Sequence, residues 1–448
     1  MVKISIIGAG GYVFPLELVK DILSFPTLQD STISLMDIDP DRLQRNADGI
    51  KKMVDFFDLP TKIETTTDRR ESLKEADFVI CTFQVGGLEA YEYDVEIPRE
   101  YGIDQTVGDT LGPGGIFRGL RTAVVLEDMA KDMQELCPDA LLIQYANPMS
   151  INCWISSDFG INTIGFCHSV QGTSKMLADE VGVPYDECSF LCAGINHQAW
   201  FIDFKHNNKN ILPLIRKTMM ENHLVEEKSG EESDELYGGG TEKVRTDIMR
   251  LTGYFQTESS HHASEYMAYF RKDQETIDQY IDERWDYFEI CSNHDEENVV
   301  ENFLKRVKEN GLEPGHEYGA YVIESYVSNK PRLVHGNVKN NGLISNLPDD
   351  CVVEVPITVD SEGLRPQRIG DLPPACAAVN RNSVNQQELA VKAYIERDLD
   401  LLYAAVSMDS LTAAQCTLPE IREMVDRMLE AESQWLPEFS AKTFITAD

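Results

Sequence analysis

The chain is short of basic residues, of long apolar runs and of paired cysteines, and each shortage excludes something. Its 448 residues carry 40 lysines and arginines against 76 acidic groups, a formal charge of −36. Nucleic acid and anionic membrane both demand a basic surface, so neither is expected as a partner. The acidity fits either a salt-rich habitat or an ordinary acidic cytosolic enzyme, and it bears on solubility rather than on fold. No apolar run reaches the length of a membrane span, and Met1 leads straight into an apolar strand. Neither a membrane anchor nor a secretory leader is therefore expected. The ten cysteines lack zinc-type pairing and read as reduced thiols of a cytoplasmic protein. Repeats are missing, as is any Pro- or Ser-rich linker that would separate independent domains.

What is present is an alternation of apolar strands and amphipathic helices, the mark of an α/β protein with a parallel sheet. Residues 3–7 form a short apolar strand, followed by Gly8-Ala9-Gly10-Gly11 and a helical pattern toward Leu23. Such a turn sets a diphosphate on a helix N-terminus. Val13 stands where the fingerprint expects a third small residue, which predicts an altered approach of helix and strand. A second strand, residues 32–36, ends in Asp37-Ile38-Asp39-Pro40. Asp37 is placed to take the ribose hydroxyls of an adenosine, while Asp39 before Pro40 reads as a helix N-cap. Further strands are expected at residues 62–66 and 77–82. After the latter, Phe83-Gln84-Val85-Gly86-Gly87 brings a turn, with Gln84, toward the same cofactor position. The acidic segment 226–235 reads as a solvated loop.

The richest stretch runs from Asn147 to His197. Asn147-Pro148-Met149-Ser150, Cys167-His168-Ser169 and Gly194-Ile195-Asn196-His197 each follow a run that reads as a buried strand, at residues 140–145, 163–166 and 189–193. Ligands of open α/β sheets collect at the carboxyl ends of strands, so an amide, a thiol and two imidazoles are expected in one crevice. Any one of them alone is an ordinary core residue. Together, a thiol and imidazoles can hold a divalent metal. The glycine-dense loop beginning Gly108-Asp109-Thr110, and the helix through Arg118 and Arg121 behind it, are expected over the same crevice. Beyond His197 the pattern changes: residues 200–205 alternate as an antiparallel strand, and Ser259-Ser260-His261-His262-Ala263-Ser264-Glu265-Tyr266 opens a helix.

These motifs resemble family four of the glycoside hydrolases, the NAD-dependent glycosidases, over nearly the whole chain. The segments from Asp109 to Arg118, from Cys167 to Thr173 and from Ala193 to His197 are most similar to its α-galactosidase branch. The resemblance implies a Rossmann-like parallel sheet with an α+β cap, an architecture like that of lactate and malate dehydrogenases. Residues 1–195 would bind NAD, and residues 196–448 would complete the active site. It also implies a redox route to hydrolysis. Hydride leaves C3 of the sugar for NAD⁺, the ketone acidifies the C2 proton, a base removes it, and the glycosidic oxygen departs. Water then adds and the hydride returns.

Residue by residue, Gly8, Gly10, Gly11, Asp37 and Gln84 would serve the cofactor. Cys167 and His197 match the metal ligands, the metal being Mn²⁺ in most of the family, and Asn147 and Asp109 match groups near the sugar hydroxyls. Many relatives carry aspartate after the metal-binding cysteine as the acid; here His168 stands there. The base of relatives falls in the segment holding His261 and His262, of which His262 is preferred. Arg118 would contact substrate and suits an acidic sugar. An α-galactoside is the expected substrate and a homo-oligomer the expected assembly, with α-galacturonides, α-glucosides and sulfonated glycosides as alternatives. An NAD-dependent 2-hydroxy acid dehydrogenase would use Arg118 or Arg121 as a carboxylate clamp. A non-catalytic NAD sensor would leave the converging metal donors without a role.

Overall fold

In the computed structural model the residues described are 2–224, 242–293, 298–315 and 317–441, so the acidic segment at 226–235 lies outside them. Twelve strands form one mixed sheet. They are β1 (Lys3–Ile7), β2 (Thr32–Met36), β3 (Lys62–Thr66), β4 (Phe78–Cys81), β5 (Leu141–Gln144) and β6 (Thr163–Gly165). The later six are β7 (Cys188–Ile195), β8 (Gln198–His206), β9 (Lys209–Asn210), β10 (Arg332–Lys339), β11 (Val352–Asp360) and β12 (Gly363–Pro366). The first six run parallel in the order β3-β2-β1-β4-β5-β6. That is the doubly wound order, whose ligand crevice opens where the order reverses, between β1 and β4. Continuous apolar runs such as Phe78–Cys81, buried at every residue, fit strands covered by helices on both faces.

The sheet then continues antiparallel through β10, β11, β7, β8 and β9. Residues 189–193 belong to a strand as expected, β7, which is the first arm of an antiparallel hairpin with β8. Period and apolarity identify a buried strand without fixing its direction. One register row crosses this half of the sheet: Gly165 pairs with Asn337, Asn337 with Glu354, Glu354 with Gly194, and Gly194 with Ala199. Adjacent strands lie about 4.8 Å apart, so the ends of a flat row would stand about 19 Å apart. The side chains beyond those ends nevertheless touch, as shown below, so the sheet curls through this row.

Helix signals read from the sequence are met where they can be checked. Asp39 accepts from the backbone N–H of Asp41 and Arg42, with Pro40 at the first helical position of Pro40–Phe56. Val13 is 40% exposed at the N-cap of helix Phe14–Leu23, so its bulk turns to solvent and does not stand between helix and sheet. No helix of the described residues is long and apolar enough to cross a membrane.

The C-terminal helix Leu418–Ala431 is fastened by a buried charge cluster. Arg121 donates to both oxygens of Asp94 at 2.8 and 2.7 Å and also to Glu432, all three residues being buried. Burial and the nearby Asp94 charge push the Glu432 carboxyl well up, and burial raises Asp94 too, against the pull of Arg121. Removing one member of such a group strands the others without compensation. Arg121→Leu should therefore lower stability by about 3–5 kcal/mol, read from urea unfolding; a loss below about 1 kcal/mol would show that the cluster is not a structural anchor.

Candidate active site

The first wall of the crevice is the turn after β1. Gly8 has φ 94, and a Cβ there would stand 2.7 Å from the backbone nitrogen of Phe83. Asp37 accepts from the Gly10 N–H at 2.8 Å, and a Cβ on Gly10 would stand 2.8 Å from the Asp37 carboxyl carbon. The buried Asn46 donates to the carbonyls of Ala9 and Gly11 at 2.8 and 2.6 Å. On the opposite side Gln84 donates to Gly87 at 3.0 Å, which shapes the second turn. A cradle that side-chain atoms would fill fits a closely approaching dinucleotide.

Deeper in, three segments converge. Cys167 follows β6 directly. His197 occupies the two-residue turn between β7 and β8 with φ 63. Glu258 arrives from residues 255–257, which lie beside β8 through Phe201 N–H to Phe255 and Thr257 N–H to Ala199. It too is left-handed, with φ 71. Two non-glycine residues in that strained region side by side mark a place where geometry outranks backbone comfort. One donor atom from each of Cys167, His197 and Glu258 falls within 4.8 Å of the others. The Cys167 thiol donates to Glu258 Oε2 at 3.6 Å, and His197 Nε2 lies 3.5 Å from that same oxygen. The other ring nitrogen of His197 is 3.0 Å from Tyr266 Oη and 3.3 Å from Thr110 Oγ1.

The electrostatics suit a cation. Burial, then the charges of Glu258 and Glu354, push the Cys167 thiol well up. Burial holds His197 down to about 4 despite the Glu258 charge, so its ring is neutral and able to ligate. Burial opposes ionisation of Glu258, yet its neighbours His262, His197 and Arg245 and the Ser259 N–H pull it down to about 2. Thiol and imidazole alone favour a soft metal, and the carboxylate adds the hard donor that Mn²⁺ prefers.

Asn147, Asp109 and Arg118 lie alongside. Asn147 donates to Asp109 Oδ2 at 3.0 Å, and its carbonyl accepts from Arg118 Nε at 3.1 Å. Burial works against the Asp109 charge, but Arg118, His262 and the Asn147 bond hold it below the usual carboxylate range. Arg118 lies over the Tyr91 ring and keeps a buried guanidinium nitrogen without a partner. Arg121, the other arginine a carboxylate clamp could use, is consumed by Asp94 and Glu432. The loop before Asp109 is held by Glu265, which accepts the backbone N–H of Thr106, Val107 and Gly108 at 2.6, 2.7 and 3.0 Å. His168 is paired with Glu317 at 2.8 Å; burial alone would lower its pKa, but that bond and charge raise it above the ordinary imidazole value. His262 sits with Nδ1 3.5 Å from Glu258 Oε1 and 3.2 Å from Ser259 Oγ. Its neighbour His261 is not brought to the cluster: its Nε2 is 2.8 Å from the Glu283 carbonyl.

Glu258, Glu317, Glu265 and Tyr266 carry much of this arrangement, and sequence reasoning did not single them out for it. Glu265 and Tyr266 stood inside the quoted motif, whereas Glu258 and Glu317 gave no local signal.

Fold and site together define the class: a doubly wound α/β protein with a dinucleotide-type turn and a metal-type cluster in one crevice. The chain belongs to family 4 of the glycosyl hydrolases. Models described as "Family 4 glycosyl hydrolase" and "Family 4 glycosyl hydrolase C-terminal domain" match residues 3–183 and 192–412. It is 37% identical to an alpha-galactosidase of Rhizobium meliloti, over 98% of this chain and 90% of that one. An alpha-galactosidase of Bacillus subtilis is 36% identical, over 98% and 100%. Among solved structures, a 6-phospho-alpha-glucosidase from gut microorganisms in complex with NAD and Mn²⁺ superposes with TM-score 0.80 at 21% identity, covering 98% and 100%. A malate dehydrogenase of Plasmodium falciparum superposes with TM-score 0.52 at 15% identity, covering 88% and 99%. The dehydrogenase-like architecture expected from the sequence is thus the one observed.

A thiol raised well above neutrality must lose a proton to ligate. Mn²⁺ affinity should therefore rise about tenfold per pH unit between pH 6 and 8, and Cys167→Ser should abolish that slope. A flat dependence in the parent protein, measured by electron paramagnetic resonance titration, would remove Cys167 from the site.

Proposed function

We propose that this protein hydrolyses α-galactosides with NAD and a divalent metal, Mn²⁺ by preference. The observation that carries the reading is the meeting of Cys167, His197 and Glu258, with the Asn147-bonded Asp109 in electrostatic reach of His197. Family membership and the two alpha-galactosidases at 37% and 36% identity support the substrate. Gly8, Gly10, Gly11, Asp37 and Gln84 would hold the dinucleotide, and Cys167 and His197 the metal. Bound there, NAD would supply a reversible hydride acceptor for sugar C3, and the metal a Lewis acid for the C2 and C3 oxygens.

The chain's own groups then divide the work. Asp109 and Asn147 orient the sugar hydroxyls, with Arg118 presenting its unpartnered nitrogen to the substrate. We assign the Nδ1–H tautomer to His197, donating toward Tyr266 and leaving Nε2 for the metal. His168, whose protonated form Glu317 favours, gives its proton to the departing glycosidic oxygen. His262 takes the C2 proton at Nε2, because its Nδ1 is already engaged. His261, bonded to Glu283, supports the helix that carries His262. In this reading residues 1–195 serve the dinucleotide and residues 196–448 close the sugar side. Ten unpaired thiols suit a reducing cytoplasm. A homo-oligomer belongs to the same reading and is checked by light scattering.

Turnover of a nitrophenyl α-galactoside should require both NAD⁺ and Mn²⁺ and should leave no net NADH. Release that persists without NAD⁺, or steady accumulation of NADH at 340 nm, would overturn the proposal. The acid has its own signature. Activity should fall as pH rises through the raised His168 pKa, because the proton donor is lost. Glu317→Gln removes the group that raises it, so the alkaline limb of the kcat profile should move to lower pH; an unmoved limb would assign the proton donor elsewhere.

A further inference from the structure

The two carboxylate oxygens of Glu258 face different partners. Oε2 stands 3.6 Å from Cys167 Sγ and 3.5 Å from His197 Nε2. Oε1 stands 3.5 Å from His262 Nδ1 and accepts the Ser259 N–H at 3.2 Å. We propose that Glu258 is the third protein ligand of the metal through Oε2 and, through Oε1, the residue that orients His262 as base. This deepens the reading above and rests on it for the identity of the reaction.

The spacing supports the ligand role. Donors about 2.1–2.3 Å from a common ion, at right-angled to tetrahedral bond angles, stand roughly 3.1–3.6 Å apart. The Oε2 separations of 3.6 and 3.5 Å fall within that interval. A carboxylate also completes the charge: with a thiolate it gives two negative charges to balance a divalent ion inside a buried pocket, where uncompensated charge is costly.

The orienting role follows from what remains. Oε1 cannot reach the cluster that Oε2 faces, and the imidazole next to it needs its Nδ1–H held if Nε2 is to present a lone pair. A carboxylate behind an imidazole fixes both tautomer and ring direction. The residue is delivered by the backbone: Thr257 bonds to Ala199, so the next residue is set beside the turn that carries His197, and Ser259 caps the helix that carries His262. One side chain thus ties the metal to the base, and both roles act on the same C2 centre of the sugar.

The test uses the full chain with Glu258→Gln, which keeps size and removes charge. Mn²⁺ titration by electron paramagnetic resonance should show affinity reduced at least tenfold, with NAD⁺ binding by fluorescence unchanged. At saturating Mn²⁺, exchange of the C2 hydrogen of the released galactose with D₂O should remain at least tenfold slower than in the parent. Parent-like Mn²⁺ affinity would overturn the ligand role. Parent-like exchange at metal saturation would overturn the orienting role. If the parent cleaves no α-galactoside, the function proposed above fails, while the metal titration still decides the ligand. Should the glutamine variant not fold, Glu258→Asp, which draws the carboxylate back, is expected to give the same loss of affinity and exchange, and parent-like values for it would overturn the proposal equally.

Discussion

The structure depends on one line of register across the curled half of the sheet, from Gly165 through Asn337, Glu354 and Gly194 to Ala199. The three residues of the metal-type cluster all leave the sheet close to that line. Cys167 leaves two residues beyond Gly165. His197 turns three residues beyond Gly194. Glu258 follows Thr257, which bonds to Ala199. A slip of one residue in any of these strands would send the corresponding side chain to the opposite face. The chemistry therefore rests on backbone pairing before it rests on any side chain.

Two carboxyl groups near that line are tuned in opposite directions. Glu354, fully buried within the row, is pushed up to about 8 by burial and then by the Glu258 charge, so it stays largely protonated near neutrality. Glu258 remains ionised only because imidazoles and Arg245 surround it. Such a pocket attracts a cation and holds a thiol in reserve until one arrives. The neutral state of His197 belongs to the same balance, since a charged ring there would cancel the attraction.

Local signals were legible in the sequence wherever a backbone rule acts over a few residues. The glycine turn, Asp37 at the end of β2, the Asp39 cap and the helix at 260–266 all follow from such rules, and each stands where the sequence places it. The motif group around Cys167 and His197 was legible through the family resemblance and through the habit of strand ends to gather ligands. Direction was not legible: apolarity marks β7 as a buried strand without saying that it runs antiparallel. Long-range partners were not legible either. Glu317 meets His168 across 149 positions, and Glu258 is carried to Cys167 by a short bridge to β8 with no pattern of its own. Arg121 shows the converse hazard, a residue that invites a functional reading and is spent on burying Asp94 and Glu432.

Because β6, β10, β11, β7 and β8 are hydrogen-bonded in unbroken succession, nucleotide side and sugar side share a single rigid floor. Opening and closing by rotation of one lobe against another would tear that floor. The depth at which a nicotinamide would meet a sugar ring is thereby set when the chain folds, not each time a substrate arrives.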